Sequence, residues 1–176
     1  FGGERVKVLG AVLVLSASTL VGFVYSLLLR KRRRILGDLV QAFQWLEAEI
    51  GYASYPLAEV ARRISGRVPA ETKQVFTFFL AELGGAAGLT AEEAWMNGLA
   101  HAREVLPLLG EDWALLENFG RTLGATDRTR QLQAIGQTIE NLKLQAEAAE
   151  ESLKKNERLY RYLGIAAGTL IVLIFY

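Results

Sequence analysis

A single histidine, His101, and no cysteine in 176 residues leave the chain without the ligand set of a soft metal site and without a thiol nucleophile. His101 reads as an ordinary helix residue, on the surface or in the core. The next candidates for acid–base or metal chemistry are the neighbouring carboxylates Glu47 and Glu49, and Glu92 and Glu93. Residues two or one apart on a helix point about 200° or 100° apart, so neither pair converges on one substrate atom. They read as solvated surface. Two glycine-rich stretches, GGAAG at 84–88 and GRTLG at 120–124, lack the Lys-Ser/Thr ending by which a phosphate loop grips nucleotide and magnesium. The expectation is a protein that is not an enzyme and has no catalytic, metal or cofactor-binding residues.

What the charges can do instead is recognise. Arg30, Lys31, Arg32, Arg33 and Arg34 form an unbroken basic run, and Lys154, Lys155, Arg158 and Arg161 make a second cluster against the one acid Glu157. Between them, over residues 35–153, seventeen Asp and Glu stand against nine Lys and Arg, a net of −8. A basic partner surface is the natural complement of that segment. The acids at helix starts and in loops, Glu92, Glu93, Glu111 and Asp112, are the expected contacts.

The elements that set these charges in place begin with the chain ends. No charged residue interrupts Val8 to Leu29, and that length makes roughly 33 Å of helix at ~1.5 Å per residue, enough for a hydrocarbon core of ~30 Å. The run ends in RKRRR, a stop-transfer pattern, which favours a transmembrane helix over 6–29 against a cleaved signal peptide. Basic residues crowd the inner side of membrane helices, so the segment that follows is expected in the cytoplasm. For RKRRR itself, membrane topology and contact with anionic lipid explain the charge better than nucleic acid does. The second apolar run, Leu163 to Tyr176, is short. Starting the helix at Leu159 and letting Arg161 reach the headgroups extends it to about 27 Å, so a second span is expected over 159–176. The leading Phe in place of Met is expected of a chain missing part of its start. Gly164 with Gly168, and Ser18 with Gly22, have the spacing of small residues at contacts between membrane helices, which is also frequent by chance.

Between the spans, residues 35–153 read as an all-α domain of about six helices. Leu36, Leu39, Phe43, Leu46 and Ile50 recur at three and four, the stripe of an amphipathic helix. Pro56 marks the first turn of the next helix, with Ser54 or Tyr55 near its cap and Leu57, Val60, Ala61 and Ile64 facing inward. A turn at Gly66 to Pro69 precedes an aromatic third helix with Val75, Phe76, Phe79 and Leu83. Thr90 and Glu93 have the spacing of a capping box at the start of a fourth, carrying Trp95 and Leu99. Trp113, Leu116 and Phe119 belong to a short fifth. The aromatic side chains Phe76, Phe79, Trp95 and Trp113 are expected in the core. A strict three-four repeat then runs from Leu132 to Leu163, the seam of a coiled coil or a long bundle helix. Asn156 in that seam either fixes register or is a wet residue at the membrane edge.

These residues resemble, almost from end to end, the stage III sporulation protein AB family of endospore-forming bacteria. The likeness rests on KVLGAVLV (7–14), LVQAFQWLEAEIGYASYPLAEV (39–60), GLTAEEAW (88–95), LENFGRTLGATDRTRQL (116–132) and NERLYRYLGIAAGTLIVLIF (156–175). Within them, Glu49, Tyr52, Pro56, Leu57, Phe119, Gly120, Gly124, Asp127, Asn156 and Tyr160 are the motif residues. The resemblance implies a bundle like the cytoplasmic domain of the inner-membrane platform protein of type II secretion and type IV pilus systems. It implies a place in the mother-cell membrane around the forespore, in the channel complex joining the two cells. The implied partners are a cytoplasmic secretion-type ATPase, stage III sporulation protein AA-like, other channel subunits, membrane lipid and further copies of the chain, with no nucleic acid. The alternative reading is a membrane-anchored signalling relay or scaffold that transmits movement along the seam helix.

Overall fold

The computed structural model describes the backbone of residues 2–52, 55–85, 88–123 and 127–175, and of these the side chains of 20–156, 158 and 159. Six helices account for the regular structure: α1 (Gly2–Tyr52), α2 (Leu57–Ser65), α3 (Ala70–Leu83), α4 (Ala91–Arg103), α5 (Gly110–Gly120) and α6 (Arg128–Phe175). No strand occurs among the described residues, as the helical periodicity predicts. α1 runs through the basic cluster without interruption. Pro56 is not inside α2; it is the residue before it, and its carbonyl accepts from the Glu59 and Val60 amides at 2.9 and 3.2 Å. Ser54 lies outside the described residues.

The chain divides into two compact units, Phe1–Lys31 with Ala149–Tyr176, and Arg32–Ala148. Among the described residues no helix is long and apolar enough to cross a membrane. The spans expected over 6–29 and 159–176 fall mostly on residues 1–19 and 160–176, whose side chains lie outside the described residues.

In the unit Arg32–Ala148, α2 packs on α3, α3 on α4 and α4 on α5. The stripe of α1 holds: Leu36, Leu39 and Phe43 are fully buried and Leu46 nearly so. Of the α6 seam, Ile135, Ile139 and Leu142 are buried in this unit, while Leu132 and Ala146 are half-buried. These two helices run antiparallel. Arg128 at the start of α6 donates to the Gly51 carbonyl at the end of α1, whereas Gln145 meets Arg32 at the other end.

Trp95 is the hub of the core. Edge-on contacts join its indole to Phe79 and Phe119 at 5.3 Å, Phe76 at 6.2 Å and Phe43 at 6.5 Å. Its Nε1 donates to the Leu116 carbonyl at 2.8 Å, which satisfies the one polar atom that the ring would otherwise strand. Two glycines make this packing possible. A Cβ at Gly98 would fall 2.7 Å from the Phe79 amide nitrogen, so α3 and α4 approach closely only without it. A Cβ at Gly120 would strike the Trp95 ring.

One polar contact crosses the same interior. Asp112 is fully buried and Arg32 is 5% exposed. Arg32 grips the carboxylate with two bonds, Nε to Oδ2 at 2.7 Å and Nη2 to Oδ1 at 2.9 Å, and Nη2 also donates to Gln145 Oε1 at 3.1 Å. Asp112 Oδ2 further accepts the Leu109 amide at 2.8 Å at the start of α5. Two expectations are corrected here. Asp112 is no surface acid awaiting a partner, and Arg32 does not extend to lipid headgroups. The reason is phase: Arg32 lies four residues before Leu36 on the inward stripe, so its side chain enters the bundle and needs a counter-charge there.

Gly98→Ala and Gly37→Ala separate close packing from helix propensity. Gly98→Ala is expected to lower the stability of the full chain by about 1–3 kcal/mol. Gly37→Ala, with nothing within 4 Å of the added carbon, is expected to raise it by about 0.5–1 kcal/mol; urea unfolding measures both. Asp112→Asn leaves the buried guanidinium without its counter-charge and is expected to cost about 3–5 kcal/mol. The same measurement should find the double variant Arg32→Met with Asp112→Leu close to the parent.

Candidate functional site

The end of the bundle remote from Arg32 gathers aromatic, basic and acidic side chains on its surface. Twenty residues of α1, roughly 30 Å of helix, separate Arg32 from Tyr52, which is 94% exposed. Pro56 ends the connection and starts α2, whose first turn brings Glu59 level with Arg62 and Arg63. Glu59 accepts from Arg62 Nη1 at 2.6 Å and from Arg63 Nε at 3.1 Å. The hydrogen bond from Arg63, followed by the one from Arg62, outweighs desolvation and holds the Glu59 carboxyl below its ordinary range. Arg63 is shifted up in turn, first by Glu59 and then by Tyr55.

These groups form a ladder over the end of α1. The Arg63 guanidinium lies 4.1 Å from the Tyr55 ring centre, and Arg67 lies 5.8 Å from that of Trp45. Glu49 stands between them, 3.8 Å from Arg63 and 3.7 Å from Arg67. An open groove of about 270 Å³ is lined by Trp45, Ala48, Glu49, Tyr52 and Arg67. Tyrosine, tryptophan and arginine are the residue types enriched among the few side chains that carry most of the binding energy of protein interfaces. By contrast, the apolar void inside, beside Leu46, Phe76, Trp95 and Phe119, is only about 10 Å³, barely one water.

Of the motif residues, the structure brings Glu49, Tyr52, Pro56 and Leu57 together at this end. Phe119 and Gly120 are core. Asp127 starts α6, its Oδ1 accepting from the Thr129 amide at 3.1 Å and its carbonyl from Gln131. Asn156 donates to the Ser152 carbonyl at 2.9 Å within its own helix. Gly124 and the side chain of Tyr160 lie outside the described residues.

The four acids named as expected partner contacts lie at two ends of the unit. Trp95 lies level with Phe43 on α1, and α4 runs from there toward Leu109 and Arg32. Glu92 and Glu93 therefore start α4 near the Tyr52 end, while exposed Glu111 and buried Asp112 sit at the Arg32 end. Glu93 completes the predicted capping box: its carboxylate accepts the Thr90 amide and hydroxyl at 2.8 Å each, and its amide donates to Thr90 Oγ1 at 3.2 Å. The Thr90 amide, then the hydroxyl, hold its carboxyl below the ordinary range.

Among the basic residues, Arg30, Arg33, Arg34, Lys154, Lys155 and Arg158 are exposed and Lys31 is half-buried. Arg34 lies 3.8 Å from Glu71, and Lys154 lies 3.6 Å from Glu150. The side chain of Arg161 is outside the described residues. His101 is on the surface, 3.5 Å from Glu82 and beside Phe78. Among the described residues no group of His, Asp and Glu is arranged to hold a metal ion. Sequence reasoning missed Trp45, Arg63 and Arg67 as one ladder, because their meeting depends on how α2 folds back. It also missed the Arg32–Asp112 pair, although the phase of Arg32 on the α1 stripe carried the signal.

The chain matches the family profile of stage III sporulation protein AB over residues 7–176. It is 32% identical over 168 residues to stage III sporulation protein AB of Bacillus subtilis strain 168, covering 96% of this chain and 98% of that protein. A solved structure of stage III sporulation protein AB superposes with a TM-score of 0.66 at 29% identity, covering 70% of this chain and 97% of the other.

The capping box gives a pH signature. Because the Glu93 carboxyl is held low in the folded state, its contribution is complete above the ordinary carboxylate range and is lost as pH falls through the lowered value. Thr90→Ala is expected to cost about 1 kcal/mol at neutral pH. Unfolding titrations at successive pH values should show the gap to the parent narrowing on acidification.

Proposed function

The chain belongs to the stage III sporulation protein AB family, a family of sporulation proteins, and we propose that it is a non-enzymatic platform of the channel complex between mother cell and forespore. In this reading, helices over 6–29 and 159–176 anchor it in the mother-cell membrane around the forespore. The domain 35–153 stands in the cytoplasm and couples a secretion-type ATPase, stage III sporulation protein AA-like, to the channel.

The observation that carries this reading is the polarity of the bundle. α1 enters and α6 leaves the unit at one end, marked by Arg32 and Gln145, while the surface of Tyr52, Trp45 and Arg67 occupies the other. A partner seated at the second end lies away from the points where α1 enters and α6 leaves the unit. The anchor reading is supported further by α1, where Leu20, Val21, Phe23, Val24, Tyr25, Leu27 and Leu28 are 47–70% exposed. In water such a strip leaves apolar area unburied at roughly 25 cal/mol per Å², and lipid removes that cost.

Half-buried Glu92, exposed Glu111 and the net −8 of residues 35–153 suit a basic ATPase surface, but of these two acids Glu92 is the one at the end that carries Tyr52. The test is capture of the ATPase by the full chain in nanodiscs across a salt series. Tyr52→Ala is expected to weaken binding at least about tenfold, as a central aromatic contact does. Glu92→Lys should weaken it less and flatten the salt dependence, with Glu111→Lys near neutral. Undiminished binding by Tyr52→Ala and Glu92→Lys would remove the proposed interface. No ATPase capture at any salt would transfer the weight to the relay reading, which the unbroken length of α6 favours.

A further inference from the structure

We propose that the groove at the Tyr52 end takes a short acidic protein segment of the docking partner, with an apolar side chain seated on Trp45, Ala48 and Tyr52 and carboxylates held by Arg67, Arg62 and Arg128. It rests on the reading of that end as the docking surface. It also gives the segment the opposite charge to the one that the net −8 of residues 35–153 asks of the partner as a whole. The charges around the groove are the reason. Arg62, Arg63 and Arg67 lie along α2 and the turn after it, and exposed Arg128 donates to the Gly51 carbonyl beside Tyr52. The acids that pair with the first three are Glu49 and Glu59. Asp127, next to Arg128, is engaged at the start of α6, where its carboxylate accepts the Thr129 amide at 3.1 Å and lies 3.7 Å from Arg130. Exposure widens the imbalance, since the Arg62 and Arg67 side chains are 68% and 50% exposed and that of Glu49 is 16%. The field that an approaching chain meets at the rim is positive, on a segment that is acidic as a whole.

Size and geometry narrow the occupant further. The groove holds about 270 Å³, under the roughly 300–1,000 Å³ of small-molecule pockets, so it suits one or two side chains and not a cofactor. Arg67 is held in place to meet them. Its amide donates to the Ile64 carbonyl at 2.9 Å, the next residue, Val68, is buried, and its guanidinium lies 5.8 Å from the Trp45 ring centre. Glu49 stands 3.7 Å from that guanidinium, beyond hydrogen-bond range. A guanidinium carries five N–H donors in a fork that matches a carboxylate. Other occupants meet a penalty. A second copy docked groove to groove would set these arginines against their own equivalents. Nucleic acid, with one charge per ~1.7 Å of duplex, would bring many phosphates up to an acidic domain. A short acidic segment within an otherwise basic partner surface suits both the rim and Glu92.

The test is capture of the ATPase by the full chain in nanodiscs, with Arg67→Gln, Arg67→Glu and Arg62→Glu set beside Tyr52→Ala and each variant checked for the parent's urea midpoint. Arg67→Gln is expected to weaken capture about tenfold and Arg67→Glu about a hundredfold, with Arg62→Glu weakening it by less than Arg67→Glu. Capture lost in Tyr52→Ala yet unchanged or tightened by Arg67→Glu and Arg62→Glu would overturn the acidic segment and leave the docking surface standing. No capture by the parent at any salt would remove the docking reading and this proposal with it. A cross-link identifies the occupant on the parent's charges, even where a charge reversal disturbs the fold. The chain has no cysteine, so Ala48→Cys takes a single benzophenone maleimide inside the groove. After irradiation of the captured complex, mass spectrometry is expected to return an ATPase segment in which Asp and Glu outnumber Lys and Arg. A segment richer in Lys and Arg, a second copy of this chain, or no ATPase peptide from a complex that still forms would each overturn the proposal.

Discussion

A guanidinium and a carboxylate removed from water cost several kcal/mol each unless they face one another with every remaining donor and acceptor engaged. The Arg32–Asp112 pair engages both carboxylate oxygens and the Nε and Nη2 groups of the guanidinium, with two direct bonds, a third to Gln145 and a fourth from the Leu109 amide. Apolar stripes slide on one another with small penalties, whereas this pair tolerates no shift of register. It fixes the height of α5 and α6 against α1 at one end of the unit. The α4–α5 connection hangs from the same point.

With that end fixed, the rest of the core closes through one ring. Trp95 touches aromatic side chains from α1, α3 and α5, and the helices that carry them must come close enough to surround it. Gly98 and Gly120 are where the backbone yields space, one to the α3 backbone and one to the indole itself. Interiors are packed as densely as crystals, and the void beside the ring is about 10 Å³, room for barely one water. Polar specificity at one end and steric specificity in the middle leave the far end free to present side chains outward.

That far end is the docking surface in the role proposed for the chain. Arg63 and Arg67 are stacked on Tyr55 and Trp45 and bridged by Glu49, so little side-chain freedom remains to be lost on binding. Tyr52 stands clear beside them. A surface prepared in this way favours a specific protein contact over general attraction between opposite charges, and it makes the acidity of the domain a steering influence more than the grip itself.

Helix number, the inward stripes of α1 and α6, the Thr90–Glu93 box and the aromatic content of the core all depend on spacing within one segment, and the sequence by itself determined them. The uncharged run and its basic flank are local in the same sense. The segment 39–60 likewise marked Glu49, Tyr52, Pro56 and Leu57 as belonging together, because they are neighbours along the chain. Distant pairings were decided only by the tertiary structure. Arg32 looked like one of five equivalent basic residues and Asp112 like a helix-start acid, and eighty positions of sequence separate them. Likewise Glu92 and Glu111 looked alike at two helix starts until the opposite directions of α4 and α5 placed them at opposite ends. Periodicity reports which way a side chain faces from its own helix, while burial, partner and height are properties of how the helices meet.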